Sequence, residues 1–328
     1  MRAVFFGSPE AALPPLNALR DGGHVVPLIV TGPDRPAGRG RKIIPGPVKR
    51  YALEHAIPVI QPERIRRDPE ALEHLRAAAA DIHVVVAYGQ IIPRVIIDLP
   101  RHSTINVHFS LLPRHRGASP VAAAILAGDA RTGVTIFRLN EKMDEGDLLA
   151  AAETGIEPAE TAGELEARLA VLGADLLTRT LSGIDGIQPR PQDQARATLA
   201  PKLRKEDGRL DWTRTADEID RRVRAMTPWP TAYTFLKGER LIVASGRPES
   251  EPSGLAGPAP APGMILETSG KGILAACGGG TRYRITRVRP ESRPPMYAGA
   301  FVLGGKAGPG DILEHPDHRD ESPSPAER

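Results

Sequence analysis

The stretch Asp81-Ile82-His83-Val84-Val85-Val86-Ala87 decides the fold class. Ile82, Val84, Val85 and Val86 are β-branched and interrupted only by His83, a run that suits a central strand covered on both faces of a sheet. Tyr88-Gly89-Gln90-Ile91-Ile92-Pro93 follows as a turn at its carboxyl end, where open α/β sheets hold their ligands. Upstream, strands at residues 3–6, 25–31 and 58–60 alternate with helices at 11–19, 48–55 and 69–80. Downstream come the strand bearing Asn106 and His108, a helix at 121–126 and a strand at 134–139. Thr161 and Glu164 then match a T-x-x-E capping box that opens a helix running to Leu181. Strands alternating with helices in this way predict an α/β domain of βαβ units.

The alternation stops after Gly183. Gln188-Pro189-Arg190-Pro191-Gln192 is polar and Pro-rich, so residues 185–206 read as a linker behind a catalytic domain of 1–184. Thr215 and Glu218 form a second capping box ahead of a helix at 216–226. Short apolar runs at 232–236, 240–244, 272–276 and 283–288, parted by Gly and Pro, predict a small β-barrel or sandwich over 207–313. Residues 246–263, rich in Pro, Ala and Gly, are expected to form a flexible loop within it, and 314–328 a disordered tail.

A chain of 328 residues suffices for two domains with cores of their own. No stretch approaches the roughly 20 apolar residues that span a bilayer, and Met1-Arg2-Ala3-Val4-Phe5-Phe6 is too short for a signal-peptide core. Cys277 is the only cysteine; it excludes an intrachain disulfide and a thiolate metal cluster and predicts a cytoplasmic location. The net charge of +3 names no partner, but its placement is informative. The stretch from Gly32 to Lys42 holds Arg35, Arg39, Arg41 and Lys42 against Asp34 and almost nothing apolar. It reads equally as a solvated connection or as a loop that orders when its cations grip phosphates. Gly7-Ser8-Pro9-Glu10 lacks the repeated glycines of a pyrophosphate cradle and reads as an ordinary strand-to-helix turn.

The chemistry lies in Ile105-Asn106-Val107-His108-Phe109-Ser110-Leu111-Leu112-Pro113-Arg114-His115-Arg116-Gly117, with Met143-Asp144-Glu145-Gly146-Asp147 downstream. A period of two turns Ile105 and Val107 to one face and Asn106 and His108 to the other. An Asn amide can donate to a developing oxyanion, and a His can donate a second bond or move a proton. Asp144 can orient that imidazole and help take the proton of an attacking amine. On the residues alone, Asn-x-His is more often a hydrogen-bonded strand end than a catalytic pair, and Asp144 alone reads as a turn residue. Ser110 lacks the G-x-S-x-G elbow of a triad nucleophile, and no H-E-x-x-H or cysteine pair marks a metal site.

Asn106-x-His108-x-Ser110-Leu111-Leu112-Pro113-x-x-x-Gly117, followed by Met143-Asp144-x-Gly146, resembles the signature of the 10-formyltetrahydrofolate-dependent formyltransferases. The resemblance implies that Asn106, His108 and Asp144 are catalytic and that no metal takes part. It further implies a folate pocket shaped by Ser110, Leu111, Leu112 and Pro113 with Tyr88, Gly89, Gln90, Ile91 and Ile92 and the 139–144 loop. Within that family, the residues from Pro33 to Gly40 and Pro47-Val48-Lys49 resemble an insertion of the branch that formylates methionyl-tRNA. Lys202-Leu203-x-Lys205-Glu206-Asp207-Gly208, Asp211-Trp212 and Arg224-Ala225-x-x-Pro228-Trp229-Pro230 extend the match. The fold implied is a Rossmann-like formyltransferase domain followed by a smaller OB-like β-barrel that contacts tRNA. The reaction implied passes the formyl group of 10-formyltetrahydrofolate to the amine of initiator methionyl-tRNA for translation initiation, by direct attack through a tetrahedral intermediate. Arg35, Arg39, Arg41, Lys42, Lys202 and Lys205 are the expected tRNA contacts, and the expected state is a monomer away from membranes. Three positions depart from the family pattern: Phe109 stands where a small residue or Pro is usual, His115 where Trp or Tyr is common, and His83 where an apolar residue is more usual.

Overall fold

A computed structural model describes residues 1–37, 42–250 and 260–314. The chain divides into two units, one of Met1–Ala124, Asp129–Glu157 and Glu164–Lys202, the other of Ile125–Gly128, Pro158–Gly163 and Leu203–Arg328. In chain order the first part gives β1 (Ala3–Gly7), α1 (Leu13–Asp21), β2 (Ile29–Val30), β3 (Arg35–Ala37), β4 (Lys42–Ile44), α2 (Pro47–Glu54) and β5 (Val59–Ile60). Then follow α3 (Pro69–Ala77), β6 (Ile82–Val86), α4 (Arg94–Ile97), β7 (Thr104–His108) and β8 (Arg116–Gly117). After these come α5 (Pro120–Ala127), β9 (Arg131–Arg138), β10 (Leu148–Gly155), α6 (Ala162–Ser182) and β11 (Leu199–Ala200).

The main sheet of the first unit runs β10-β9-β7-β6-β1-β2-β5. The strands from β7 to β5 are mutually parallel, and β9 and β10 join antiparallel at one edge. All five residues of β6 are buried, as its β-branched run requires between β1 and β7. The chain adds β2 and β5 on one side of β1 and β6 and β7 on the other, which puts the switch point at the carboxyl ends of β1 and β6. Leu165, Leu169, Leu177 and Leu181 of α6 are buried, each contributing about 1.5–3 kcal/mol by leaving water. Gly173 lets this helix approach β7: a Cβ there would lie 3.0 Å from Cγ1 of Val107. Val107 is thereby committed to the helix, which leaves Asn106 and His108 for the opposite face.

Several expectations need correction. β10 was not foreseen, because Ala150, Ala151 and Ala152 carry no β-branched signal and the strand is a half-exposed edge. The basic stretch is not an open loop at its ends: β3 and β4 pair antiparallel, Arg35 opposite Ile44. Residues 185–202, expected as linker, belong to the first unit. Leu148 and Arg190 exchange backbone hydrogen bonds of 2.8 and 2.9 Å, and β11 pairs in parallel with β8. Composition misread this segment because only Gln192 and Ala200 in it are buried, one polar and one too small to mark a core.

The second unit contains α7 (Ala216–Ala225), β12 (Tyr233–Leu236), β13 (Glu239–Glu249), β14 (Ile265–Ser269), β15 (Gly272–Ala276), β16 (Arg282–Pro290), β17 (Met296–Tyr297), α8 (Ala298–Leu303) and β18 (Leu313–Glu314). The expected capping box opens α7, with Thr215 Oγ1 accepting from Glu218 N and Glu218 Oε2 accepting from Thr215 N. The antiparallel sheet follows the order β14-β15-β16-β13-β12-β18, with β17 added to β16. A bridge between Met264 and Ile312 ties its two ends, so the sheet curls round on itself as the barrel expectation demands. Residues 246–249 correct the loop expectation: they extend β13, and Gly246 is needed because a Cβ would meet the Tyr283 ring at 2.4 Å. The remainder of that expected loop at 251–259, and the expected tail beyond residue 314, lie outside the described residues.

Candidate active site

β7 ends the parallel part of the sheet and delivers Asn106 and His108 in mid-strand and at its carboxyl end. Asn106 is half-buried, and its side-chain amide has no hydrogen-bond partner among the described residues. His108 is buried, with its ring edge-on to Phe137 at 6.3 Å. Its Nε2 lies 3.0 Å from the carbonyl oxygen of His115. A carbonyl only accepts, so Nε2 carries the proton and Nδ1 is the free nitrogen of the neutral ring. That Nδ1 faces Asp144 Oδ2 at 3.7 Å. Burial lowers the pKa of His108; Asp144 and the bond to the His115 carbonyl push it back up without prevailing, and the His115 ring lowers it further. The imidazole therefore rests neutral, with its basic nitrogen toward the carboxylate.

Asp144 reaches this position from the loop between β9 and β10. Its φ is +52°, in the left-handed region that Asp tolerates better than most side chains. The carboxylate Oδ2 accepts from the backbone N–H of Gly117 at 2.7 Å. Gly117 has φ +124°, and a Cβ there would lie 2.5 Å from the carbonyl oxygen of Ala200 in β11. Gly146 allows the loop to pass Arg138, whose carbonyl oxygen would stand 1.7 Å from a Cβ. His108 and Asp144 are thus brought together by β7, the Asp144 loop and β8, with Asn106 two residues before His108 on the same strand.

The expected folate residues separate into two groups. Ser110 is fully buried and its Oγ donates to the carbonyl of Arg114 at 2.7 Å. Thr135 Oγ1 donates to Ser110 O at 2.7 Å and accepts from Leu112 N at 3.1 Å. Ser110 and buried Leu112 therefore brace the turn, while Leu111 and Pro113 are half-buried. Tyr88 and Ile92 sit in the core beside Phe6, whose ring meets Tyr88 edge-on at 5.6 Å. Gly89 turns the chain at φ +79°. Gln90 and Ile91 line an open cavity of about 450 Å³ together with Glu63, Arg64 and Arg66. Gln90 is anchored to this wall by accepting from Ile65 N at 3.0 Å and donating to Pro62 O at 2.9 Å. Arg64 and Arg66 were not anticipated. The signal available in the sequence was Arg64-Ile65-Arg66-Arg67, a basic run before a helix.

Of the expected tRNA contacts, Arg35, Lys202 and Lys205 are exposed. Lys42 contributes its backbone to β4, and Arg39 and Arg41 lie outside the described residues. The base of the β3–β4 hairpin is pinned by an ion pair between Asp34 and Lys49. Gln61 donates to Gly32 O and Asp34 Oδ1, both at 2.8 Å. Lys49 and then Gln61 hold the Asp34 carboxyl below its usual range. Among the described residues no cluster of three or more His, Cys, Asp or Glu has metal-binding geometry, and no helix is long and apolar enough to cross a membrane.

The geometry agrees with two family profiles: one described as formyl transferase matches residues 1–181, and one described as formyl transferase, C-terminal domain, matches 202–306. The chain is 47% identical over 306 residues to the methionyl-tRNA formyltransferase of Solibacter usitatus, covering 93% of this chain and 96% of that one. It is 42% identical over 316 residues to the methionyl-tRNA formyltransferase of Acidobacterium capsulatum, covering 94% and 98%. At the level of fold, it resembles an N-formyltransferase of Helicobacter canadensis solved with folinic acid and dTDP-3-aminofucose. That match has a TM-score of 0.61 at 15% identity and covers 87% of this chain and 98% of the other.

Proposed function

The chain belongs to the formyl transferase family, and from that premise we propose that it transfers the formyl group of 10-formyltetrahydrofolate to the α-amine of initiator methionyl-tRNA. The observation that carries the mechanism is an Asn106 amide without a partner among the described residues, two positions along β7 from a His108 whose free Nδ1 lies 3.7 Å from Asp144. The neutral amine attacks the formyl carbon and forms a C–N bond, leaving a tetrahedral oxyanion. Asn106 donates to that oxygen; removal of such a donor costs about 3–4 kcal/mol of barrier. His108 Nδ1 takes the proton released by the amine, and the imidazolium is stabilised by Asp144. The same proton passes to N10 of the folate as the C–N10 bond breaks, releasing tetrahydrofolate and the formylated amine. His108 is thus a proton carrier first, because Nε2 is held by the His115 carbonyl, and a donor to the oxyanion only while charged.

Arg64 and Arg66 in the cavity beside Gln90 and Ile91 suit the anionic carboxylates at the glutamate end of the folate. The basic residues Arg35, Arg39, Arg41 and Lys42 would neutralise tRNA phosphates, and Lys202, Lys205 and the barrel would supply further contacts. The enzyme works as a monomer in the cytoplasm, with all three reacting groups from one chain.

Incubation with 10-formyltetrahydrofolate and methionyl initiator tRNA should give formylmethionyl-tRNA, and a folded sample that yields none refutes the reading. Replacement of Arg39 and Arg41 by Ala should weaken tRNA use and leave folate binding intact. Equal loss of both contradicts the assignment of the basic stretch.

A further inference from the structure

We propose that Gln192 is the residue that positions Asp144 for proton transfer. The proposal rests on the catalytic reading of Asp144. Gln192 lies in the Pro-rich segment that composition marks as a linker, yet it is only 6% exposed. Its Nε2 donates to the carbonyl of Asp144 and to the carbonyl of Gly146, both at 2.8 Å. Its Oε1 accepts from Arg116 Nε at 3.1 Å and Arg116 Nη2 at 2.7 Å. Both N–H groups and the acceptor of one amide are therefore committed to two different segments. The first is the loop in which Asp144 holds its left-handed backbone conformation. The second is β8, where Arg116 immediately precedes the Gly117 whose N–H binds the Asp144 carboxylate.

Gln192 thus fixes Asp144 twice. Through the two carbonyls it holds the main chain, and through Arg116 it holds the donor that receives the side chain. Arg116 is 4% exposed and completes its own pairing with Gln194 Oε1 at 2.8 Å and Glu145 Oε1 at 3.7 Å. A cation buried to this degree stays in place only when so paired, which makes the anchor stiff. The result of this bracing is the 3.7 Å separation between Asp144 and His108 Nδ1. Among the described residues the charged or titratable groups facing His108 are Asp144 and the His115 ring, while Arg116 and Glu145 pair with one another.

Gln192→Met keeps the length of the side chain and deletes its donors and acceptor. The expected result is a fall in kcat of at least about 30-fold, since displacement of a reacting group by about 1 Å costs up to about 100-fold. KM for the folate and for the tRNA should stay within about twofold, as in loss of an interaction made in the transition state. The titration midpoint of His108, read by 15N NMR of the imidazole, should move to lower pH as the Asp144 carboxylate that raises it drifts away. Should this variant not fold, Gln192→Glu retains an acceptor for Arg116 while losing both donors, and the same fall in kcat at unchanged KM is expected, the His108 midpoint being read on the neutral variant only because the added carboxylate itself raises it. Asp144→Asn serves as the control. If Asp144→Asn is inactive while the Gln192 variant keeps wild-type kcat, the positioning role is overturned and the catalytic reading stands. If Asp144→Asn is fully active, the catalytic reading itself falls. A loss in which KM rises in step with falling kcat and the His108 midpoint stays put marks general damage and overturns the proposal too.

Discussion

Gly117→Ala tests the architecture of the site most directly. Gly117 stands at φ +124°, a region that L residues with a side chain rarely enter, at a cost of about 1–3 kcal/mol. Its new Cβ would also lie 2.5 Å from the oxygen and 3.1 Å from the carbon of the Ala200 carbonyl. These are backbone atoms, so relief requires β8 and β11 to part. A combined cost of about 2–3 kcal/mol follows from the strain alone, before the broken pairing is counted. For a domain of roughly 150–250 residues each kcal/mol shifts Tm by about 2–4 °C, so a drop of about 5–10 °C is expected. The effect on activity is larger, because the Gly117 N–H that holds Asp144 moves with β8. A shift of about 1 Å at a reacting group is worth about 100-fold in rate. Thermal unfolding and initial rates at saturating folate and tRNA measure the two effects. A variant with Tm within about 2 °C and kcat within about threefold of wild type would refute the claim that β8 sets the position of Asp144.

Asn106→Ala should lower kcat by about 100- to 1000-fold with little change in KM for either substrate, because its amide serves no partner among the described residues; steady-state kinetics decide, and a change confined to KM contradicts the oxyanion role. His83, buried against Phe6 and beside Thr104 Oγ1, has its pKa lowered to about 4 chiefly by burial. The unfolded chain therefore binds the proton first, and stability present above pH about 6.5 is lost as pH falls toward 4, by about 3 kcal/mol in all. His83→Leu should flatten that part of the stability-versus-pH curve measured by denaturant titration, and an unchanged slope would show that other groups set it. The Cys277 thiol is buried and pushed up to about 12, so it should resist a thiol reagent at pH 8 in the native protein and react on unfolding in denaturant. Immediate labelling of the native protein would contradict the burial of Cys277.

The main sheet was legible because its cause is local. β6 declares itself by unbroken β-branched residues, and the alternation of strands and helices around it follows from short periodic segments. The expectation for Asn106, His108 and Asp144 had a different source, since they sit in a long fixed pattern of neighbours. What escaped was whatever depends on one buried contact between distant segments. Gln192 lies 48 residues from Asp144 in sequence and within a Pro-rich stretch, so composition assigned it to solvent. Gly246 carries the same lesson: glycine predicted a loop there, while its lack of a Cβ admits the Tyr283 ring into a strand. Arg64 and Arg66 were missed because a basic run on a surface is ordinarily solvated, and only the cavity beside Ile91 distinguishes them.

The departures at Phe109 and His115 can now be judged by what each side chain touches. Phe109 is buried on the α6 side, where a Cβ on Gly173 would come within 3.5 Å of its ring, so its bulk is spent in the core and not in the donor pocket. His115 fixes the His108 tautomer through its main-chain carbonyl, while its ring adds only the last and smallest of the effects on the His108 pKa, lowering it. The turn requires φ +59° at this residue, and the ring secures it by pairing Nε2 with Asp129 Oδ2 at 2.7 Å, while Arg114 takes Oδ1 at 2.6 Å. Thr198 Oγ1 accepts from the His115 N–H at 2.9 Å and holds the other side of the turn. Any side chain that keeps this turn presents the same carbonyl and so leaves His108 with its proton on Nε2. The identity of residue 115 is therefore less constrained than its backbone conformation, which is why a departure there is compatible with an intact proton carrier.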